Sequence, residues 1–310
     1  SVRGNRQAFL YKEILKGESR LSTRRITLMN GLFTVVVLSY NNSKYLEGCL
    51  DSILAQTYPE IEIIIADDCS KEFDADKYKT YCAKNGRSNI KNVNIIRNET
   101  NLGTVKNVNN ALRHANGIYF KLIGADDELA DENSLYEAAR NLKTSPYGII
   151  TSNVIKCDSE MKVIGLYPNR LQKDLNSMTA RECYIRLCIH NDIIAGGVFF
   201  SKSLLETYGY FDERYKLLED WPMWLRVTRV GAKFVYCPFN AIKYRSDVGF
   251  GTSVNPVYMK DKRAVFANEI EQYKNEIGAI NFLKAKLSFA FVNSTAVRRT
   301  YGLIKRRGKD

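Results

Sequence analysis

The chain has 310 residues, 45% hydrophobic and 26% charged, a balance that excludes a disordered polyelectrolyte and suffices for one large core. Its formal net charge of +12 asks for a partner or location to match, with nucleic acid, anionic lipid and a polyanionic substrate as the classes to weigh. Seven scattered cysteines without any Cys-x-x-Cys, and only two histidines, argue against a disulfide framework or a structural zinc site.

The N-terminus mixes Arg3, Arg6, Lys12, Glu13 and Lys16 without a signal-peptide core, and no apolar run approaches the ~18 residues that span a bilayer. Residues 1–32 are therefore expected to be a basic helical extension of a cytoplasmic protein. Phe33 to Ser39 is a continuous β-branched run of the kind buried on both faces of a parallel sheet, and it stops at Tyr40-Asn41-Asn42-Ser43. Leu46, Cys49, Leu50, Ile53 and Leu54 then fall at helical spacing, with Asn42 or Ser43 available as N-cap. Ile61 to Ala66 reads as a second strand ending at Asp67-Asp68. A helix over about Asp74 to Ala83, a strand from Val93 to Arg97, a helix from Thr104 to His114 and a strand from Tyr119 to Ile123 follow.

Strand, helix, strand at this spacing implies right-handed crossovers and an α/β fold with a mainly parallel central sheet flanked by helices, its ligand crevice beyond the strand C-terminal ends. Polar clusters stand at those ends: Ser39 to Asn42, Asp67 to Ser70, and Asp126-Asp127. Two adjacent carboxylates suit turns and caps, and they also suit Mg²⁺ or Mn²⁺, which bind through one or two Asp plus substrate phosphates. Neither a dinucleotide fingerprint nor a P-loop is present, so a nucleotide would be held by side chains and metal.

Beyond Gly148 the pattern changes. Gly148 to Lys156 and Lys162 to Tyr167 read as strands, Arg181 to His190 as a helix, and Ile193 to Phe200 as a strand whose Gly196-Gly197 admits close approach of a ligand. Pro222 belongs in a first helical turn, so Glu219 or Asp220 sits at the N-terminus of a helix carrying Trp221, Trp224, Leu225 and Thr228 on one face. From Asn281 onward, Lys284, Lys286, Arg298, Arg299, Lys305, Arg306, Arg307 and Lys309 interleave with bulky apolar residues, against Asp310 alone. That pattern suits a membrane interface as well as a core helix with a solvated basic end.

Phe33 to Asp67, Asp67-Asp68-Cys69-Ser70, Asn101-Leu102-Gly103 with Lys106-Asn107, Asn116-Gly117-Ile118-Tyr119, Gly124-Ala125-Asp126-Asp127 and Glu219-Asp220-Trp221 together resemble family 2 inverting glycosyltransferases of the GT-A fold, of bacterial cell-surface glycan type. The similarity covers about residues 33 to 250. It implies a nucleotide-binding half (33–130) and an acceptor half (131–250), and residues 251–310 are expected to form a basic C-terminal helical segment.

The resemblance also implies a UDP-sugar donor, a divalent metal (Mn²⁺ or Mg²⁺), and transfer of one sugar to a hydroxyl of a glycan or lipid-linked acceptor in cell-surface polysaccharide synthesis. Carried over residue by residue, Ser39, Tyr40, Asn42, Asp67, Asp68, Lys106, Asn107, Ala125, Asp126 and Asp127 would bind the donor. Asp126 would be the metal ligand and Asp220 the general base, and Gly196, Gly197, Glu219 and Trp221 would lie toward the acceptor. Two positions depart from the family pattern. Gly124 replaces the first acid of Asp-x-Asp, and Tyr244-Arg245-Ser246-Asp247 lacks the His of many members, for which Asp247 would substitute as a metal ligand. The competing readings are a catalytically inactive nucleotide-sugar-binding relative and a basic membrane or nucleic-acid binder. No nucleic-acid partner is expected, and peripheral contact with an anionic membrane is.

Overall fold

A computed structural model gives the structure of the protein over residues 31–167, 173–246 and 255–293. Four parallel strands open the fold: β1 (Phe33–Ser39), β2 (Ile61–Asp67), β3 (Ile90–Arg97) and β4 (Tyr119–Gly124). They are followed by β5 (Glu128–Leu129), β6 (Ile149–Cys157), β7 (Val163–Tyr167), β8 (Val198–Ser201) and β9 (Val235–Arg245). The order across the sheet is β3-β2-β1-β4-β8-β6-β9-β5, with β7 paired to β6. Beyond β4 the sheet is mixed. β8 runs antiparallel to both β4 and β6, while β6 and β9 are parallel.

The continuous apolar runs of β1 and β2 arise because both sheet faces are covered. Val36 and Ile64 belong to the core that includes Val105, Val108 and Leu112 of the helix Thr104–Arg113. Val35, Val37, Ile63 and Ile65 point the other way, onto Leu46, Leu50 and Ile53 of the helix Ser43–Leu54. Each such side chain, fully buried, contributes on the order of 1.5–3 kcal/mol of transfer free energy.

Three expectations are corrected. The strand expected over Ile193 to Phe200 is instead a 3₁₀ turn, Ala195–Gly197, and only then β8, because the amide of Gly197 turns back to the carbonyl of Ile194. Asn42 stands at the N-cap position of its helix without capping it; its Oδ1 accepts from Ser39 Oγ and from the amide of Tyr40. β3 begins at Ile90, not Val93, and Asn92 donates to Glu62 on the neighbouring strand.

Helices Pro256–Val265 and Ala279–Asn293, joined through a π-helical turn at Phe266–Glu271 and the short helix Lys274–Ile277, share a core with the rest. Ile270, Ile277 and Ala285 are buried in the same cluster as Trp224 and Leu187. Residues 1–30 of the extension expected over 1–32, and the basic run beyond Asn293, lie outside the described residues.

Candidate active site

The registers Ser39↔Asp67 and Leu38↔Gly124 bring the C-terminal ends of β1, β2 and β4 level. The ladder continues one step past them, the amide of Asp68 donating to Ser39 O and that of Ala125 to Leu38 O. A cavity of about 660 Å³ opens at this edge. Of the expected residues, Ser39, Tyr40, Asn42, Asp68, Asn107, Asp126, Asp127, Gly196, Glu219 and Asp220 line it. Asp67, Lys106, Ala125, Gly197 and Trp221 are not on its wall, and Asp247 lies outside the described residues.

Several of these residues, on the wall and off it, hold the surrounding chain. Asp67 is sealed beneath the turn that follows β2, accepting from Ser70 N at 3.0 Å and Ser70 Oγ at 2.5 Å, with Arg97 Nε 3.5 Å away. Asp68 accepts from Asn98 Nδ2 and from the amides of Leu102 and Gly103, all at 2.8–3.0 Å, and so pins the loop that enters the helix at Thr104. Gly103 is needed there: its φ is +88°, and a Cβ would stand 2.6 Å from the carbonyl oxygen of Lys216. Lys106 is exposed, whereas Asn107 bridges Asn98 and the carbonyl of Ala66. Trp221 turns into the core and donates from Nε1 to Leu187 O. Gly196 and Gly197 serve chain packing, since added Cβ atoms would meet Ile242 Cδ1 at 2.4 Å and Ser152 O at 2.6 Å.

On the β4 side, Asp127 Oδ1 accepts from the amide of Arg245 at 2.9 Å, and the Arg245 guanidinium donates to Asp126 O while lying over the Tyr45 ring. Burial raises both carboxyls above their ordinary range, and the charge of Asp126 adds to the rise at Asp127. A hydrogen bond from Asn42 and the charge of Arg245 oppose the rise at Asp126. A cation on the cavity side would offset the same desolvation. Among the described residues no cluster of three metal-ligating side chains exists. One carboxylate completed by substrate phosphates and water fits Mg²⁺ or Mn²⁺, and Asp126 is placed for that. Gly124 has a local reason too: a Cβ there would stand 2.7 Å from Asp126 Oδ1, so the carboxylate of Asp126 occupies the space that a first acid would need.

On the facing wall, the helix Asp220–Arg229 begins at the cavity. Asp220 Oδ2 accepts from Asn191 Nδ2 at 3.0 Å, and its Oδ1 accepts from the amide of Trp221 at 2.6 Å. Burial raises the Asp220 carboxyl, while those two donors pull it back. Burial and the neighbouring charge of Asp220 push Glu219 to about 8. A carboxylate fixed by two donors at the rim of a crevice can accept a proton from a hydroxyl brought against it.

Several site residues escaped the sequence reasoning. Asn191 orients Asp220 from 29 residues away. Tyr258 lines the cavity from the C-terminal segment, and the buried Asp261 accepts from the amides of Lys216 and Leu217, holding the loop that leads to Glu219. Lys121 is fully buried in β4; its Nζ donates to Gly196 O and Val198 O, and lies 4.5 Å from the Phe199 ring centroid. A lysine inside an apolar strand was the one visible signal, and burial lowers its ammonium to about 7.

Comparison with known proteins bears on the fold and the family. The chain is 23% identical over 291 residues to an uncharacterized glycosyltransferase of Haemophilus influenzae, covering 88% of this chain and 81% of that one. It is 27% identical to the amylovoran biosynthesis glycosyltransferase AmsB of Erwinia amylovora, over 71% of each chain. The fold matches residues 1–349 of S. aureus TarS in complex with UDP-GlcNAc, with a TM-score of 0.61 at 22% identity, covering 84% of this chain and 74% of that one. It also matches the mannosyltransferase PcManGT of Pyrobaculum calidifontis in complex with GDP-Man and Mn²⁺, with a TM-score of 0.50 at 16% identity, covering 89% and 80%. The fold is thus that of the GT-A glycosyltransferases. Residues 34–209, more than half of the chain, match Glycosyl transferase family 2, and with the strand-end crevice and its carboxylates in place the chain belongs to that family of glycosyltransferases.

Proposed function

We propose that the protein moves one sugar from a UDP-sugar to a hydroxyl of a glycan or lipid-linked acceptor in cell-surface polysaccharide synthesis, with inversion at the anomeric carbon. The observation that carries the reading is one cavity with Asp126 on one wall and Glu219-Asp220 on the other. The UDP-GlcNAc complex of TarS and the amylovoran role of AmsB support the donor and the setting.

The donor's nucleotide would lie along the ends of β1 and β2, against Ser39, Tyr40 and the loop held by Asp68. Its diphosphate would reach Asp126. Asp126 would hold a divalent cation there, which when bound would supply neutralisation of the charge that develops as UDP departs. The acceptor oxygen attacks the anomeric carbon from the side of Asp220. The new carbon–oxygen bond forms as the bond to the diphosphate breaks, and the acceptor's proton passes to the Asp220 carboxylate. Asn191 and the Trp221 amide hold that carboxylate in place. Positioned proton transfer of this kind contributes ~10²–10⁴-fold.

Calorimetric titration of UDP, with Mn²⁺ and again with chelator, tests the donor site. Binding that requires both metal and Asp126, and so is lost in Asp126→Ala, is the expected result. Equal binding by Asp126→Ala and wild type would remove the metal role of that residue.

A further inference from the structure

The helix Ala279–Asn293 is apolar on two opposite sides. One side carries Phe282, Ala285 and Phe289, which pack on Phe266 and the shared core. The opposite side carries Ile280, Leu283, Leu287 and Phe291, with exposures of 73%, 58%, 63% and 67%. Steps of three and four residues place these four on one stripe along the helix. An apolar stripe of this length on a helix is normally covered, and among the described residues nothing covers this one.

The flanks of the stripe indicate what covers it. Advancing 100° per residue, Lys284 falls on one border and Lys286 on the other, both exposed. No acidic residue occurs between Ala279 and Asn293, and the sequence goes on with the basic run from Arg298. A second copy pairing along this stripe would set lysine against lysine, without the opposite charges that usually border a helix pair. An anionic lipid surface meets both requirements. It takes the apolar side chains below the headgroups and leaves the lysine ammoniums at phosphate level.

We propose that the Ile280-Leu283-Leu287-Phe291 face of this helix docks the enzyme in the plane of an anionic membrane. The opposite face of the same helix is fixed to the core that also holds Trp224 of the cavity wall, so docking would orient the cavity relative to the bilayer. Among the described residues, no helix is long and apolar enough to cross a membrane. Docking by this face is independent of which donor sugar the cavity takes.

The test is co-sedimentation of the full chain with vesicles of phosphatidylcholine alone or with about 30% phosphatidylglycerol, at low and high salt. Wild type is compared with Leu283→Glu/Leu287→Glu and with Lys284→Glu/Lys286→Glu. These positions face solvent, so circular dichroism and thermal melting should match wild type. Wild type should bind the anionic vesicles, and the leucine double variant should bind at least about tenfold more weakly. The lysine variant should lose the preference for anionic over neutral lipid. The proposal is overturned if wild type ignores anionic vesicles, or if the leucine variant binds as well as wild type and the attraction is charge alone. It is also overturned if sedimentation velocity shows a dimer that the leucine variant dissociates, which would give the face to a second copy.

Discussion

Replacing Asp220 with asparagine separates its chemical role from its structural one. In the wild type Oδ1 accepts the Trp221 amide and Oδ2 accepts Asn191 Nδ2. The introduced amide keeps an oxygen for Trp221, and its NH₂ group needs an acceptor where Asn191 now donates. Among the described residues the buried Asn191 Oδ1 has no partner, so a half-turn of that side chain supplies an acceptor. The variant should therefore fold with the same local network. It should not be less stable at neutral pH, because the wild-type carboxyl is raised by burial: its folded form binds the proton more tightly than the unfolded chain, and ionising it costs stability as pH rises above the ordinary carboxylate range. What is lost is the proton acceptor, worth about 10²–10⁴ in kcat, or about 2.7–5.4 kcal/mol at 1.36 kcal/mol per decade. The assay is UDP release with saturating donor and acceptor, paired with calorimetric UDP binding and a thermal melt. A kcat within about twofold of wild type, with binding and melting intact, would refute the assignment of Asp220 as base.

Glu219, pushed to about 8 by burial and the charge of Asp220, is protonated where Asp220 ionises. Because a base must be ionised to act, the rate should rise with pH along a limb lying above the ordinary carboxylate range, and Glu219→Gln should leave that limb of a kcat profile in place while removing any further change near pH 8. Lys121→Met leaves the carbonyls of Gly196 and Val198 without their donor, and chemical denaturation should show a loss of about 3 kcal/mol. With its ammonium lowered to about 7, the unfolded chain binds more protons up to the ordinary lysine range, so this residue makes wild-type stability climb with pH above about 7; the variant should lose that climb. Gly103→Ala forces a side chain onto a φ of +88° and against Lys216, so melting should fall by an amount equivalent to about 1–3 kcal/mol, and UDP affinity should fall with it as the Asp68 loop shifts.

Much of the frame was legible because its signals are local. A β-branched run such as Phe33–Ser39 and a helical stripe such as Leu46 to Leu54 state their burial through period alone. Alternating strands and helices then imply level strand ends, and so the gathering of Ser39, Asp68 and Asp126 at one crevice. The stretch Ile193 to Phe200 misled because an apolar run carries no sign of where its carbonyls will bond: that of Ile194 takes the amide of Gly197, and that of Gly196 takes Lys121 from 75 residues away.

By itself the sequence determined the parallel half of the sheet, its order of elements and the carboxylates at its edge, since each depends on spacing within a few residues. Only the tertiary structure decided the antiparallel return through β8, the division of labour between the sealed Asp67 and the wall residue Asp68, the hold of Asn191 on Asp220 and of Asp261 on the Leu217 loop, and the bare outer face of the last described helix. Those depend on which distant donor meets which acceptor and on which of two apolar faces finds a neighbour. That is settled when the chain packs and the desolvated polar groups must find partners.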